Sequence, residues 1–269
     1  MRHFRLILVQ FFRRWMAISA RPEHYPPPRT FSVILSLFCG LLLLSSCHST
    51  PQQEIHLPDR TPIPLTLTEE QQGPASINGQ YSARLAYFEQ FRQENVDVCF
   101  LGDSITERLD WQDAYPSLRV SNRGIGSDTT LGVLARLDDV EAQSPRAVAL
   151  MAGINDISIG RSTDEIIETY AELLDELSHR LPDTALVVTC VLPVTAAHSI
   201  DNADVQALNV RLQPLCKEKG VAYVDVYSEF CDADGNLSAA LASDNVHPNI
   251  SGYLVWLQAL DTALNDALM

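Results

Sequence analysis

Five short apolar runs, set apart by amphipathic stretches, limit what this chain can fold into more than any other feature. They are "DVCFLG" (97–102), "LRVSNRG" (118–124), "AVALMAG" (147–153), "ALVVTCVLP" (185–193) and "VAYVDV" (221–226). Near-continuous apolar character, rather than strict alternation, marks strands covered on both faces, as in a parallel sheet. Helical periodicity fills the intervals, over 130–142, 163–180, 203–219 and 250–267. One further packing helix is predicted over 80–94, where Leu85, Phe88 and Phe91 share a face. Strand and helix in alternation predict a three-layer α/β/α domain, flavodoxin-like, around a five-stranded parallel sheet. No internal repeat interrupts this order.

The N-terminal part reads differently. Residues 1–30 hold Arg2, Arg5, Arg13, Arg14, Arg21 and Arg29 against the single acid Glu23, and "FSVILSLFCGLLLLSSC" (31–47) follows. A basic region, an apolar core and small residues at its end make a signal segment. The unbroken apolar stretch falls short of the roughly 20 residues that a spanning helix needs. "LSSC", ending at Cys47, is similar to the lipobox of bacterial lipoproteins, whose Cys is lipidated and becomes the N-terminus. The expected organisation is a signal peptide over 1–46, a Pro- and Gln-containing tether over 47–79, and a folded domain over 80–269. Met16 is an alternative start, since "MAISARPEHYPPPRT" still supplies basic residues. A lipid anchor predicts a location in the bacterial cell envelope. His48 in place of Asp after the Cys points to the outer membrane.

Residues 1–46 take with them six of the 19 basic residues and one of the 34 acidic ones. The remaining 13 basic and 33 acidic residues give a formal charge of −20, which excludes nucleic acid as a partner class. Of the six Cys, Cys99, Cys190, Cys216 and Cys231 belong to the folded part. None forms a Cys-x-x-Cys pair, so no metal site is expected. Cys216–Cys231 is the disulfide to test, with four free thiols as the equal alternative.

In sheets of this kind, ligands bind beyond the carboxyl ends of the strands. Those ends deliver Gly102-Asp103-Ser104, then "NRGIGSDTT" with Gly124, then "AGINDI" with Asn155. "SDNVHPN", with Asp244 and His247, follows the fifth run. Acyl transfer by Ser104 needs a base, a group that orients the base, and donors for the developing oxyanion. His247 suits the first role, and Asp244, three residues earlier, suits the second. The backbone N–H groups of Ser104 and Gly124 and the amide of Asn155 are candidate oxyanion donors. Asp103 is expected to cap the following helix, Asp128 to hold the second loop, and Asp156 to brace the third. His198 is read as a loop residue that could line a cleft, and Trp111 and Trp256 as packing. The glycines of "GIGSDTTLG" do not fit a dinucleotide loop, and the chain has no Gly-x-Ser-x-Gly elbow.

The blocks "FLGDSITE" (100–107), "NRGIGSDTT" (122–130), "AGINDI" (152–157) and "DNVHPN" (244–249), in that order, resemble those of the SGNH hydrolases, or GDSL esterases and lipases. Ile105 stands where the family's name has Leu. The resemblance covers almost the whole folded part. It implies Ser104 as nucleophile, Asp244 and His247 as its partners, and Ser104, Gly124 and Asn155 around the oxyanion. It also implies a cofactor-free serine esterase. Within the family the blocks look most like the branch of platelet-activating-factor acetylhydrolases and carbohydrate acetylesterases. The expected substrates are short acyl esters, foremost acetyl groups on a glycan. A lysophospholipase and a catalytically silent glycan-binding lipoprotein are the alternatives.

Overall fold

The computed structural model describes residues 79–269, so the expected signal segment, Cys47 and the tether up to residue 78 lie outside the described residues. In chain order, the secondary structure begins with α1 (Gly79–Gln90), β1 (Val98–Gly102), α2 (Ser104–Glu107), α3 (Trp111–Ala114) and β2 (Val120–Gly124). It continues through α4 (Thr130–Leu134), α5 (Leu137–Glu141), β3 (Ala147–Met151), α6 (Ile154–Ser158) and α7 (Thr163–Arg180). The last elements are β4 (Ala185–Thr189), α8 (Asn202–Lys219), β5 (Ala222–Val224), α9 (Tyr227–Phe230) and α10 (Ile250–Leu268). All five strands are parallel, in the order β2-β1-β3-β4-β5, as the flavodoxin-like reading expects. Among the described residues no helix is long and apolar enough to cross a membrane.

Every residue of β1 is buried, because the pleat sends successive side chains into opposite layers. Cys99 and Leu101 enter a core with Tyr170, Leu173 and Leu177 of α7 and Leu208 and Leu212 of α8. Val98 and Phe100 enter the other, with Trp111 of α3 and Tyr253, Trp256 and Leu260 of α10. There Phe100 and Trp111 stack with centroids 3.7 Å apart and planes 10° from parallel. Such a contact adds about 0.5–1.5 kcal/mol beyond the area it buries. Trp111 is thus a core residue, as is Trp256. α7 starts at Thr163, as the periodicity predicts, and is fixed by a capping box between Ser162 and Glu165.

Two expectations are corrected, and of the two open readings of the cysteines the free thiols hold. The helix read over 130–142 is two helices, because Arg136 leaves helical geometry and turns its buried guanidinium to Asp128 and to the carbonyl of Gly102. The fourth strand stops at Thr189 rather than 193. Beyond it, Asn209 pairs with both backbone groups of Val191, and Asn202 does the same for Val194. Side-chain amides there replace a ladder. All four described cysteines are free thiols: Cys216 is buried in the first core, and Cys231 Sγ instead contacts the carbonyl of Tyr227 at 3.2 Å.

The register lines up the strand ends that matter. Gly102 pairs with Gly124 on one side and with Met151 on the other, so the next three loops leave the sheet at one level. Gly124 is required there sterically. A Cβ on it would lie 2.2 Å from the backbone nitrogen of Glu107 and 2.8 Å from the carbonyl oxygen of Asp103. Backbone cannot yield as a side-chain tip can, so Gly124→Ala is expected to destabilise the fold by about 1–3 kcal/mol. The urea midpoint reads this, and an unchanged midpoint would contradict so close an approach.

Candidate active site

Between β1 and α2 the chain turns sharply, and Asp103 caps the helix by accepting the N–H of Ile105 at 2.9 Å. Ser104 is the first helical residue. Its own N–H belongs to the first turn, where no intrahelical acceptor exists. Burial pushes the Asp103 carboxyl up to about 7, against the pull of the Ile105 N–H. Asp103 acts as the expected cap, one residue from the serine.

The loop before α10 brings the other groups. Asp244 Oδ1 accepts the backbone N–H of Val246 at 2.9 Å and of His247 at 2.8 Å, a tight turn that presents the imidazole. His247 Nδ1 lies 2.8 Å from Asp244 Oδ2, and Nε2 lies 2.8 Å from Ser104 Oγ. Burial opposes ionisation of Asp244. The N–H groups of His247 and Val246, with Arg108 and the imidazole, outweigh it and hold the carboxyl well below the usual range. An anionic Asp244 fixes the proton on Nδ1, so Nε2 accepts from the serine hydroxyl. Burial lowers the His247 pKa, Asp244 partly restores it, and the Arg108 charge lowers it again. At neutral pH the imidazole is therefore an unprotonated base.

Arg108 was missed by the sequence reading. Its Nη1 donates to Asp244 Oδ2 at 2.9 Å and so links the end of α2 to the loop of the base. The signal was available, because residue 108 lies four positions after Ser104 and shares its helix face. On the other side, Thr195 donates its N–H to the carbonyl of Asn245 at 3.0 Å and its hydroxyl to the Asn245 side chain at 2.9 Å. The loop after β4 thereby braces the same turn. His198, farther along that loop, accepts the N–H of Ile200 through Nδ1 and lines a cleft with Thr195, Asp201 and Asn236. It makes no hydrogen bond to Ser104, Asp244 or His247.

The expected oxyanion donors separate into two groups. Asn155, in the first turn of α6, gives one amide hydrogen to the carbonyl of Asp128 at 2.9 Å, which orients the group and leaves the second hydrogen available. Gly124 differs. Its N–H donates to Asn122 Oδ1 at 2.9 Å, and its carbonyl accepts from Arg84 Nη2 at 3.1 Å. The Gly124 N–H is not free for an oxyanion in this geometry. Three residues on, Ser127 is exposed and left-handed at φ 64°, and its N–H has no hydrogen-bond partner among the described residues. A Cβ in that conformation costs roughly 1–2 kcal/mol.

Buried carboxylates hold these loops as expected, with cations that the sequence reading did not pair to them. Asp128 accepts the Thr129 N–H and pairs with Arg136 Nε at 2.8 Å. Asp156 accepts both the N–H and the hydroxyl of Thr130, and pairs with Arg161. Among the described residues no group of His, Cys, Asp and Glu is arranged to hold a metal ion. What the geometry can perform is nucleophilic attack by a serine whose proton passes to a neutral, oriented histidine.

Known proteins resemble this chain in sequence or in fold. The rat platelet-activating factor acetylhydrolase IB subunit alpha2 is 27% identical over 172 residues, which cover 60% of this chain and 73% of that protein. A solved structure described as an acylhydrolase of Bacteroides fragilis superposes with a TM-score of 0.61 at 26% identity, covering 72% of this chain and 98% of its own. A variant of an acetylxylan esterase from Geobacillus stearothermophilus shares the fold with a TM-score of 0.52 at 24% identity, over 64% of this chain and 95% of that one. The model of the GDSL-like lipase/acylhydrolase family matches residues 100–255, from the end of β1 into α10, and the chain belongs to that family.

Proposed function

We propose that this acylhydrolase is a serine esterase that removes short acyl groups, acetyl foremost, from a glycan. The observation that carries the reading is the continuous line of hydrogen bonds from Ser104 Oγ through His247 to Asp244, each near 2.8 Å. Ser104 Oγ attacks the ester carbonyl carbon as its proton moves to His247 Nε2. The carbonyl π electrons become an oxyanion, met by the Ser104 N–H, the second Asn155 amide hydrogen and the Ser127 N–H. Collapse expels the carrier alkoxide, which takes the proton from His247 and leaves an acyl group on Ser104. Water then repeats the sequence, with His247 as base, and releases the acid. No step calls for a cofactor. The names of both the rat relative and the Geobacillus esterase concern acetyl groups, which supports a short acyl chain. The Cys47 lipobox supports attachment of the domain to the bacterial envelope, facing polymers there.

With p-nitrophenyl acetate, Ser104→Ala is expected to lower kcat on the order of 10³-fold or more, and Asn155→Ala on the order of 10²–10³-fold. Equal rates for wild type and Ser104→Ala would end the esterase reading. The pH profile tests the base. Arg108 lowers the His247 pKa, so Arg108→Gln raises it, and the imidazole becomes protonated at a higher pH. The acidic limb of kcat/KM, followed by acid release from an acetate ester, is expected to shift upward. A fixed or downward-shifted limb would remove Arg108 from the electrostatics of the base. For the anchor, Cys47→Ser is expected to move the protein from the membrane to the soluble fraction; continued sedimentation with membranes would refute lipidation.

A further inference from the structure

A cleft of about 390 Å³ opens along the free edge of β2, between α1 and the α2–α3 segment. It joins the site described above through Arg108, which lines the cleft and also donates to Asp244. Arg108 lies one helical turn, about 6 Å, beyond Ser104. At the far wall Tyr87 of α1 and Phe91, just past its end, stand side by side, 51% and 48% exposed, with ring centroids 4.9 Å apart. Two adjacent half-exposed aromatic rings beside a polar cleft offer flat apolar faces to a ligand. The guanidinium of Arg84 connects them to the catalytic side: it lies 5.4 Å from the Tyr87 ring and 3.0 Å from the Glu107 carboxylate.

Apart from Leu109, Trp111 and Val120, the remaining lining is hydrophilic. Arg123 lies in the floor, its guanidinium buried between the Asp139 carboxylate and the Phe88 ring. Gln93 and Asp110 face the same space from opposite walls. These groups decide what the cleft can take. An acyl chain needs an apolar trough, and this lining carries Arg84, Arg108, Arg123, Glu107 and Asp110. An extended peptide needs open edge-strand backbone. Here Gln112 Oε1 accepts the N–H of Val120, Asn122 Oδ1 accepts that of Gly124, and Arg84 covers the carbonyl of Gly124. These contacts cap both ends of the edge against strand addition. A sugar chain meets both requirements, with its C–H faces on the rings and its hydroxyls on the amide, guanidinium and carboxylate groups.

We infer that this cleft is a carrier subsite, in which Tyr87 and Phe91 hold the pyranose rings of an oligosaccharide whose acyl ester lies at Ser104. The inference rests on the glycan-esterase reading and adds where the glycan lies. The test uses the full-length protein in detergent with chemically O-acetylated xylo-, cello- and manno-hexaoses, and p-nitrophenyl acetate as the substrate without a sugar. A Tyr87→Ala/Phe91→Ala double variant is expected to raise KM for the preferred hexaose about tenfold with kcat held within about twofold, the 1.4 kcal/mol equivalent of one decade. Tyr87→Trp/Phe91→Tyr, which keeps two flat faces, is expected to restore KM.

An unchanged KM for a hexaose that wild type hydrolyses overturns the subsite and leaves the glycan reading standing. Losses of equal size on the hexaose and on p-nitrophenyl acetate also overturn it. Hydrolysis of p-nitrophenyl acetate with no turnover of any acetylated hexaose overturns the glycan reading and the subsite together. Sedimentation showing that the double variant dissociates a dimer while KM stays fixed would assign the aromatic pair to a self-contact instead.

Discussion

The ion pair between Asp128 and Arg136, buried on both sides, holds the loops that leave β1, β2 and β3 at the working edge of the sheet. Arg136 reaches back to the carbonyl of Gly102 at 3.0 Å, one residue before the helix cap and two before the serine. Asp128 offers its own carbonyl to the Asn155 amide. One cation and one anion therefore tie together the ends of β1, β2 and β3. Two ions away from water are costly to desolvate, so the pair adds little net stability, but removing one partner strands the other at a cost of about 3–5 kcal/mol. Its contribution is fixed geometry. Burial also raises Asp103, which lies beside this network, to about 7. The folded chain thus holds that proton more tightly than the unfolded one. This contribution to stability is present in acid and fades as the pH rises through about 7.

The layers of the fold were legible because burial on two faces leaves an unmistakable trace. All five apolar runs are strands, and the helix read over 163–180 is α7. The errors lie where side chains replace backbone partners. Asn202 and Asn209 end the fourth strand by pairing with the Val194 and Val191 backbone, and nothing local in "TCVLP" announces amides from a helix many residues later. Arg136 breaks 130–142 for a partner at the far end of the loop, which helical periodicity does not register. The short helices after the strands are also too brief to carry a period.

For the site, residue type and order were enough to bring Ser104, His247 and Asp244 together, since strand ends dictate a common edge. Hydrogen-bond occupancy was not legible. Gly124 reads as an open backbone donor until Asn122, two residues back, is seen to take its N–H. The glycine is there for close packing against Glu107 rather than for donation. Arg108 escaped notice because an exposed arginine on a short helix looks like any solvated charge, and its meaning depends on a carboxylate 136 residues away.

That long reach has a consequence for when the molecule can act. Ser104 and its base are separated by 143 positions, and the base is held in a turn capped onto the last helix of the chain. A chain made only as far as β5 holds Ser104 without its hydrogen-bond partner. The contact between Ser104 and His247 therefore forms only once the turn before α10 has packed against the end of β1.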